Sequence, residues 1–186
     1  YYSSQSNRVM LFDQSGGRPG VDWRQTSSTV VHEAAHQTAY NTGVHSRWAV
    51  TPRWASEGLG SLFEAPGVNA PSQFNDRQDR INQRHLKSYL RYYPDGLEEG
   101  ELRALVATDD VFRRTPLPAY AASWALTFMM AEQQPRDLAQ YLTTTGNKSG
   151  FLRRISASER ISDFEQAFGR DYEMIRVRLH RLMREL

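Results

Sequence analysis

Val31-His32-Glu33-Ala34-Ala35-His36 is the stretch on which the reading of this chain turns. Ser27 or Ser28 can cap a helix that runs to about Asn41, with Gly43 as its stop. Four residues along a helix is about 400° of rotation, so His32 and His36 share one face, roughly 6 Å apart. Two imidazoles at that separation can reach one tetrahedral Zn²⁺, and Glu33 can face the open side of the ion without ligating it. In a chain of 186 residues with five His, chance supplies about 0.008 such His-Glu-x-x-His matches. The opposite face, Val31, Ala35 and Ala39, is small and apolar and is expected to pack the helix into a core.

A tetrahedral site needs a third protein ligand. Thr51-Pro52 signals the start of a second helix, running through Trp54, Leu59, Leu62 and Phe63 to the Pro66-Gly67 break. Near its start stands Trp54-Ala55-Ser56-Glu57-Gly58-Leu59-Gly60, with Glu57 as the candidate ligand. The competing reading of Glu57 is a first-turn acid that complements the helix dipole. Gly58 and Gly60 each cost about 1 kcal/mol relative to Ala inside a helix, so their presence implies a close approach of neighbouring backbones.

With these residues in hand, the chain resembles the gluzincin branch of zinc metallopeptidases (the peptidase MA clan). Its Trp54-x-x-Glu57-Gly58 context is most similar to the uncharacterised bacterial peptidase-MA-like proteins. The likeness is specific over about 7–65 and weaker over the helices to Gly169. It implies a mainly α (α+β) chain: a single zincin-like catalytic domain over 1–186, with a metal-site core at about 7–65, a helical part at about 66–186 and a minimal or truncated β-sheet. It also implies one zinc ion on His32, His36 and Glu57, Glu33 as the base that activates water, and a peptide or protein substrate. The strand Val9–Phe12 would be the edge against which an extended substrate pairs. Gluzincins commonly supply a Tyr or His that steadies the oxyanion; Tyr120 is the candidate here, with a helix-start Tyr packed in the core as its other reading. Proteins with this look are often exported, and that is the compartment the resemblance implies.

Two departures from the pattern bear on activity. Many gluzincins carry an Asp four residues after the ligand Glu to orient the first His, whereas this chain has Ser61, so an orienting group must come from elsewhere. Only one strand is legible, Arg8 to Asp13, followed by the turn-forming Gly16-Gly17-Arg18-Pro19-Gly20. The alternative function is therefore a zincin-fold binding or scaffold module without hydrolysis. Ser61 and the sparse strands favour the module; Glu33 favours the enzyme, because a purely structural zinc site has no use for a base.

The rest of the chain is expected to be helical. Helices are expected over Phe74–Tyr93, around Glu99–Val106, from Pro118 through Met129, and from Pro135 to near Gly146. Tyr172, Ile175, Leu179, Leu182 and Leu186 form an amphipathic stripe that closes a core. His45, His85 and His180 lack ligand spacing and read as packing or surface residues. Asp109-Asp110 and Glu98-Glu99 read as helix-end charges.

Composition excludes several classes. At 39% hydrophobic and 24% charged, the chain is globular, and no run approaches the roughly 18–20 apolar residues of a membrane span. The absence of Cys removes disulfides, thiolate metal sites and Cys nucleophiles. Basic residues are mostly Arg, but 21 acids are interspersed and the net charge is only +2. Arg176, Arg178, Arg181 and Arg184 therefore read as a solvated helix face rather than a nucleic-acid contact. The opening Tyr1-Tyr2-Ser3-Ser4 has neither an initiator Met nor an apolar leader, so the chain reads as a processed product or excised domain with any targeting segment upstream.

Overall fold

A computed structural model describes residues 1–12, 23–48, 50–148 and 155–186, the side chains of 23–25 excepted. Within them the chain is mainly helical, with one two-stranded antiparallel sheet. Strand β1 (Tyr2–Ser3) pairs with β2 (Arg8–Val9), Tyr2 opposite Val9 and Ser3 opposite Arg8. The expected single strand thus has a partner, and it stops at Val9 instead of continuing to Phe12. The two-residue β1 offers no alternating pattern from which a strand can be read. The Gly16–Gly20 turn lies outside the described residues.

Helix α1 (Trp23–Asn41) carries the two histidines and starts before Ser27 and Ser28, which lie inside it rather than capping it. The hairpin lies on α1: the Gln37 amide donates to the Asn7 carbonyl at 2.9 Å, and the Tyr2 and Tyr40 rings are 5.4 Å apart. Helix α2 (Arg53–Phe63) begins one residue later than the Thr51-Pro52 signal implies: Pro52 is the cap position rather than the first helical residue, and no side chain caps the helix. A short α3 (Pro66–Asn69) follows.

The continuous helix expected over Phe74–Tyr93 is instead two pieces, a 3-10 turn (Arg77–Arg80) and α4 (Gln83–Tyr92). Asn82 separates them by accepting the His85 amide at 3.3 Å, a competing side-chain cap that periodicity does not register. Then come α5 (Glu99–Ala107), a short α6 (Val111–Arg114), α7 (Pro116–Gln133), α8 (Pro135–Gly146), α9 (Ala157–Phe168) and α10 (Tyr172–Glu185). Among the described residues, no helix is long and apolar enough to cross a membrane.

Helix α7 is buried around most of its circumference and forms the centre of the core, with α2, α4, α6, α8 and α10 packed on it. Trp54 of α2 plugs into this core, its ring 5.3 Å from Tyr141 and 5.8 Å from Phe164. On α10, Tyr172, Ile175, Leu179 and Leu182 are buried, while Arg176 and Arg181 pair with Glu173 and Glu185 of their own helix. Arg178, Arg181 and Arg184 are exposed.

Helix α1 stands at the edge of this assembly. Ala39 is buried, but Val31 and Ala35 are only half-buried and Ala34 is exposed. The expected apolar face of α1 therefore lines an open groove of about 380 Å³, shared with Leu59, Phe63 and Leu142, rather than a closed core.

Candidate metal centre

Helices α1 and α2 pack against each other and bring His32, His36 and Glu57 together. The Nε2 atoms of His32 and His36 are 3.0 Å apart, and Glu57 Oε2 lies 3.3 Å from the first and 3.7 Å from the second. Ligand atoms around a tetrahedral ion with bonds of about 2.0–2.1 Å stand about 3.3–3.4 Å apart. The three observed separations bracket that value, and two imidazoles with one carboxylate form a donor set suited to Zn²⁺. The residues fit the ion.

The crossing of α1 and α2 depends on missing side chains. A Cβ on Gly60 would meet the His32 ring at 2.8 Å. A Cβ on Gly58 would meet Ser123 O at 2.7 Å and would overlap Thr127 Oγ1, both on α7. The close approach expected from the two glycines is real, one facing the metal centre and the other the core. Glu57 falls in the second turn of α2, where the helix dipole has little hold on it, so the first-turn reading does not apply.

The His-orienting carboxylate, which position 61 does not supply, is Glu64. Ser61 is buried and its hydroxyl has no hydrogen-bond partner among the described residues, whereas Glu64 Oε1 accepts from His32 Nδ1 at 2.9 Å. Its second oxygen, Oε2, accepts from Asn82 Nδ2 and Arg84 Nη2, each at 2.9 Å. Sequence reasoning missed it because Glu64 stands just beyond the last residue of α2, seven positions after Glu57 and thus two turns along the same side. With Nδ1 donating to Glu64, His32 presents Nε2 to the centre, the tautomer that metal ligation needs.

These contacts shift the ionisation of the site. Burial alone would lower the His32 pKa, but hydrogen bonds to Glu57 and Glu64 outweigh it and raise it to about 9. Burial would raise the Glu57 carboxyl, yet the two histidines hold it well below the usual carboxylate range. Glu64 is likewise held low against its burial by His32, His85 and Arg84. Without a metal, a proton on His32 occupies the focus of three electron-rich atoms.

Glu33 neighbours His32 on α1, and its side chain is mostly buried at 13% exposure. Tyr120 does not lie in the group of three; it reaches it through Arg53, a residue the sequence reading passed over. Arg53 donates through Nε to Glu57 Oε1 at 3.2 Å and through Nη2 to the Tyr120 hydroxyl at 3.1 Å. Burial, with the charges of Glu57 and Glu33, raises the Tyr120 phenol above its ordinary pKa against the opposing pull of Arg53. The phenol therefore stays protonated and able to donate. Its signal in sequence is the i, i+4 pairing of Arg53 with Glu57.

Asp109 is more than the helix-end charge its sequence suggested. It accepts the backbone amide of Arg53 at 3.2 Å and pairs with buried Arg160 through both oxygens at 2.6 and 3.1 Å, which pins the first turn of α2. His45 and His85 are packing residues, His45 edge-on to Tyr40 and His85 stacked on Trp124. Burial, and then the charge of His36, lowers His45 to about 4, so it stays neutral.

A family model described as "Protein of unknown function (DUF1570)" matches residues 26–151, well over half of the chain. The chain belongs to DUF1570. The matched span contains every residue of this centre, from His32 on α1 to Tyr120 on α7. No curated protein and no solved structure matches this DUF1570 chain.

If Glu64 orients His32 in this DUF1570 member, Glu64→Gln should weaken zinc binding about 10–100-fold, since loss of an outer-shell carboxylate has effects of that size. Competition against a chromophoric chelator measures this. Unchanged affinity would make Glu64 a bystander.

Proposed function

We propose that this protein is a zinc-dependent peptidase of the gluzincin kind, built on a zincin-like helical framework and acting on peptide or protein substrates. The observation that carries the reading is the convergence of His32 Nε2, His36 Nε2 and Glu57 Oε2 at tetrahedral spacing, with Glu33 next to His32 on α1. Bound there, zinc would act as a Lewis acid and lower the pKa of water toward about 7.

The chain's own residues supply the remaining functions. His32, His36 and Glu57 hold the ion, and Glu64 fixes His32 in the required tautomer. Glu33 takes the proton from the attacking water and passes it to the leaving amine. Tyr120, protonated and facing the charges of Glu57 and Glu33, donates a hydrogen bond to the oxyanion of the tetrahedral intermediate. Glu33 also distinguishes this reading from a structural zinc site, which would leave such a base unused.

Calorimetric titration of the metal-free protein with zinc tests the reading. One tight site is expected, lost in His36→Ala, followed by cleavage in a peptide library that depends on the metal. Because the His32 pKa is raised to about 9, zinc must displace a proton at pH 7. About one proton should be released per ion, and affinity should rise roughly tenfold per pH unit up to about 9. The same shift acts oppositely on the metal-free fold: charged His32 contributes fully below its ordinary value near 6.5, and that contribution is lost as pH rises through about 9. Absence of zinc binding would overturn the proposal.

A further inference from the structure

We propose that Arg53 is a positioning residue that ties the third metal ligand to the oxyanion donor, committing Glu57 to a single ligating oxygen and aiming the Tyr120 proton away from itself toward the substrate. The assignment deepens the peptidase reading and rests on it.

The argument starts from what each atom can do. Glu57 faces the two histidines with Oε2, while Oε1 accepts from Arg53 Nε at 3.2 Å. With Oε1 drawn toward the guanidinium, Oε2 is the oxygen that faces the two histidines, an arrangement that favours ligation through Oε2 alone. Arg has no acceptor atom, so in the 3.1 Å contact between Arg53 Nη2 and the Tyr120 hydroxyl the phenol oxygen must accept. The phenol's own hydrogen is then free for a partner other than Arg53. Arg53 thus engages Glu57 Oε1 and the phenol oxygen at once and stands between the two groups.

The guanidinium is itself held in place. Its Cζ lies 4.7 Å from the Phe112 ring centroid and 5.8 Å from that of Tyr120, a cation–π arrangement that suits its planar fork better than an ammonium. The Arg53 backbone amide is held separately by Asp109, so the side chain can be changed without freeing the start of α2. Arg53 also lines a cavity of about 530 Å³, wide enough to admit a free guanidinium ion.

The test compares wild type with Arg53→Ala and Arg53→Lys, by zinc affinity, by d–d absorption of the Co²⁺-loaded protein and by the split of kcat from KM. Arg53→Ala is expected to weaken zinc about tenfold. It should also reduce the visible absorption of bound Co²⁺, as Glu57 brings in its second oxygen and raises the coordination number, and lower kcat with KM little changed. Millimolar guanidinium should restore part of kcat and of the Co²⁺ spectrum in Arg53→Ala while doing nothing to wild type; a collapsed fold would show no such rescue. Arg53→Lys, able to meet one partner but not both, should recover zinc affinity more than kcat. Wild-type affinity and Co²⁺ spectrum in Arg53→Ala would overturn the assignment while leaving the peptidase reading intact. Failure of the wild type to bind zinc or cleave peptides would instead overturn the reading beneath it.

Discussion

Glu33→Gln should keep the zinc site and lose hydrolysis, with kcat falling about 10³-fold, or about 4 kcal/mol of transition-state stabilisation. The side chain keeps its shape and can still hydrogen-bond a water, but it can no longer take a proton. Glu33 lies outside the group of three donor atoms that converge on the centre, so its loss removes no ligand. The comparison needs two readouts on the same preparation: zinc stoichiometry by metal analysis, and turnover on the best peptide found for wild type. Loss of zinc in Glu33→Gln would make Glu33 a structural member of the centre. Retained turnover would assign the proton transfer to another group and remove Glu33 from the role of base.

Glu57→Gln should weaken zinc binding by about 10²–10³-fold, or roughly 3–4 kcal/mol, a share in keeping with one ligand out of three or four in a site of about 10–16 kcal/mol. Gln retains an oxygen at the same place, so the loss comes from charge rather than from shape. The half-buried carboxylate would neutralise part of the ion's charge and, in the metal-free protein, helps to hold the proton on His32. The variant should therefore also release less than one proton on binding zinc at pH 7, because His32 loses one of the two carboxylates that raise its pKa. Chelator competition and buffer-dependent calorimetry measure the two effects. Undiminished affinity would remove Glu57 from the ligand set.

The parts of the centre that share one helix face were legible in sequence, and the parts that depend on packing between helices were not. His32 and His36 follow from helix geometry alone, and the glycines at 58 and 60 announced a tight crossing without saying what was crossed. Glu64 escaped because its partner is 32 positions away, so only the α1–α2 packing reveals that two turns beyond Glu57 is the place from which Nδ1 of His32 can be reached. Arg53 escaped for a similar reason, its second partner being 67 positions distant on α7. In the fold, the strongly periodic α10 and the Pro-initiated α2, α7 and α8 were readable, whereas the break at Asn82 and the strand at Tyr2–Ser3 depend on local hydrogen bonds that hydrophobic periodicity does not encode. The apolar face of α1 was read as core because apolarity says what a face tolerates, not whether anything lies on it.

Helix α2 behaves as a spacer with no slack. It is wedged between the His32 ring on one side and the backbone of Ser123 on the other, and at both contacts the chain has given up its side chain. A shim of that kind transmits displacement instead of absorbing it, because close-packed interiors deform little. The consequence is that the spacing of the proposed ligands is set in part by α7, whose residues at this crossing are not among them. A substitution at Thr127 should thus reach the proposed metal centre by other means, and an ion seated between α1 and α2 would clamp the core of the protein as well as its own ligands.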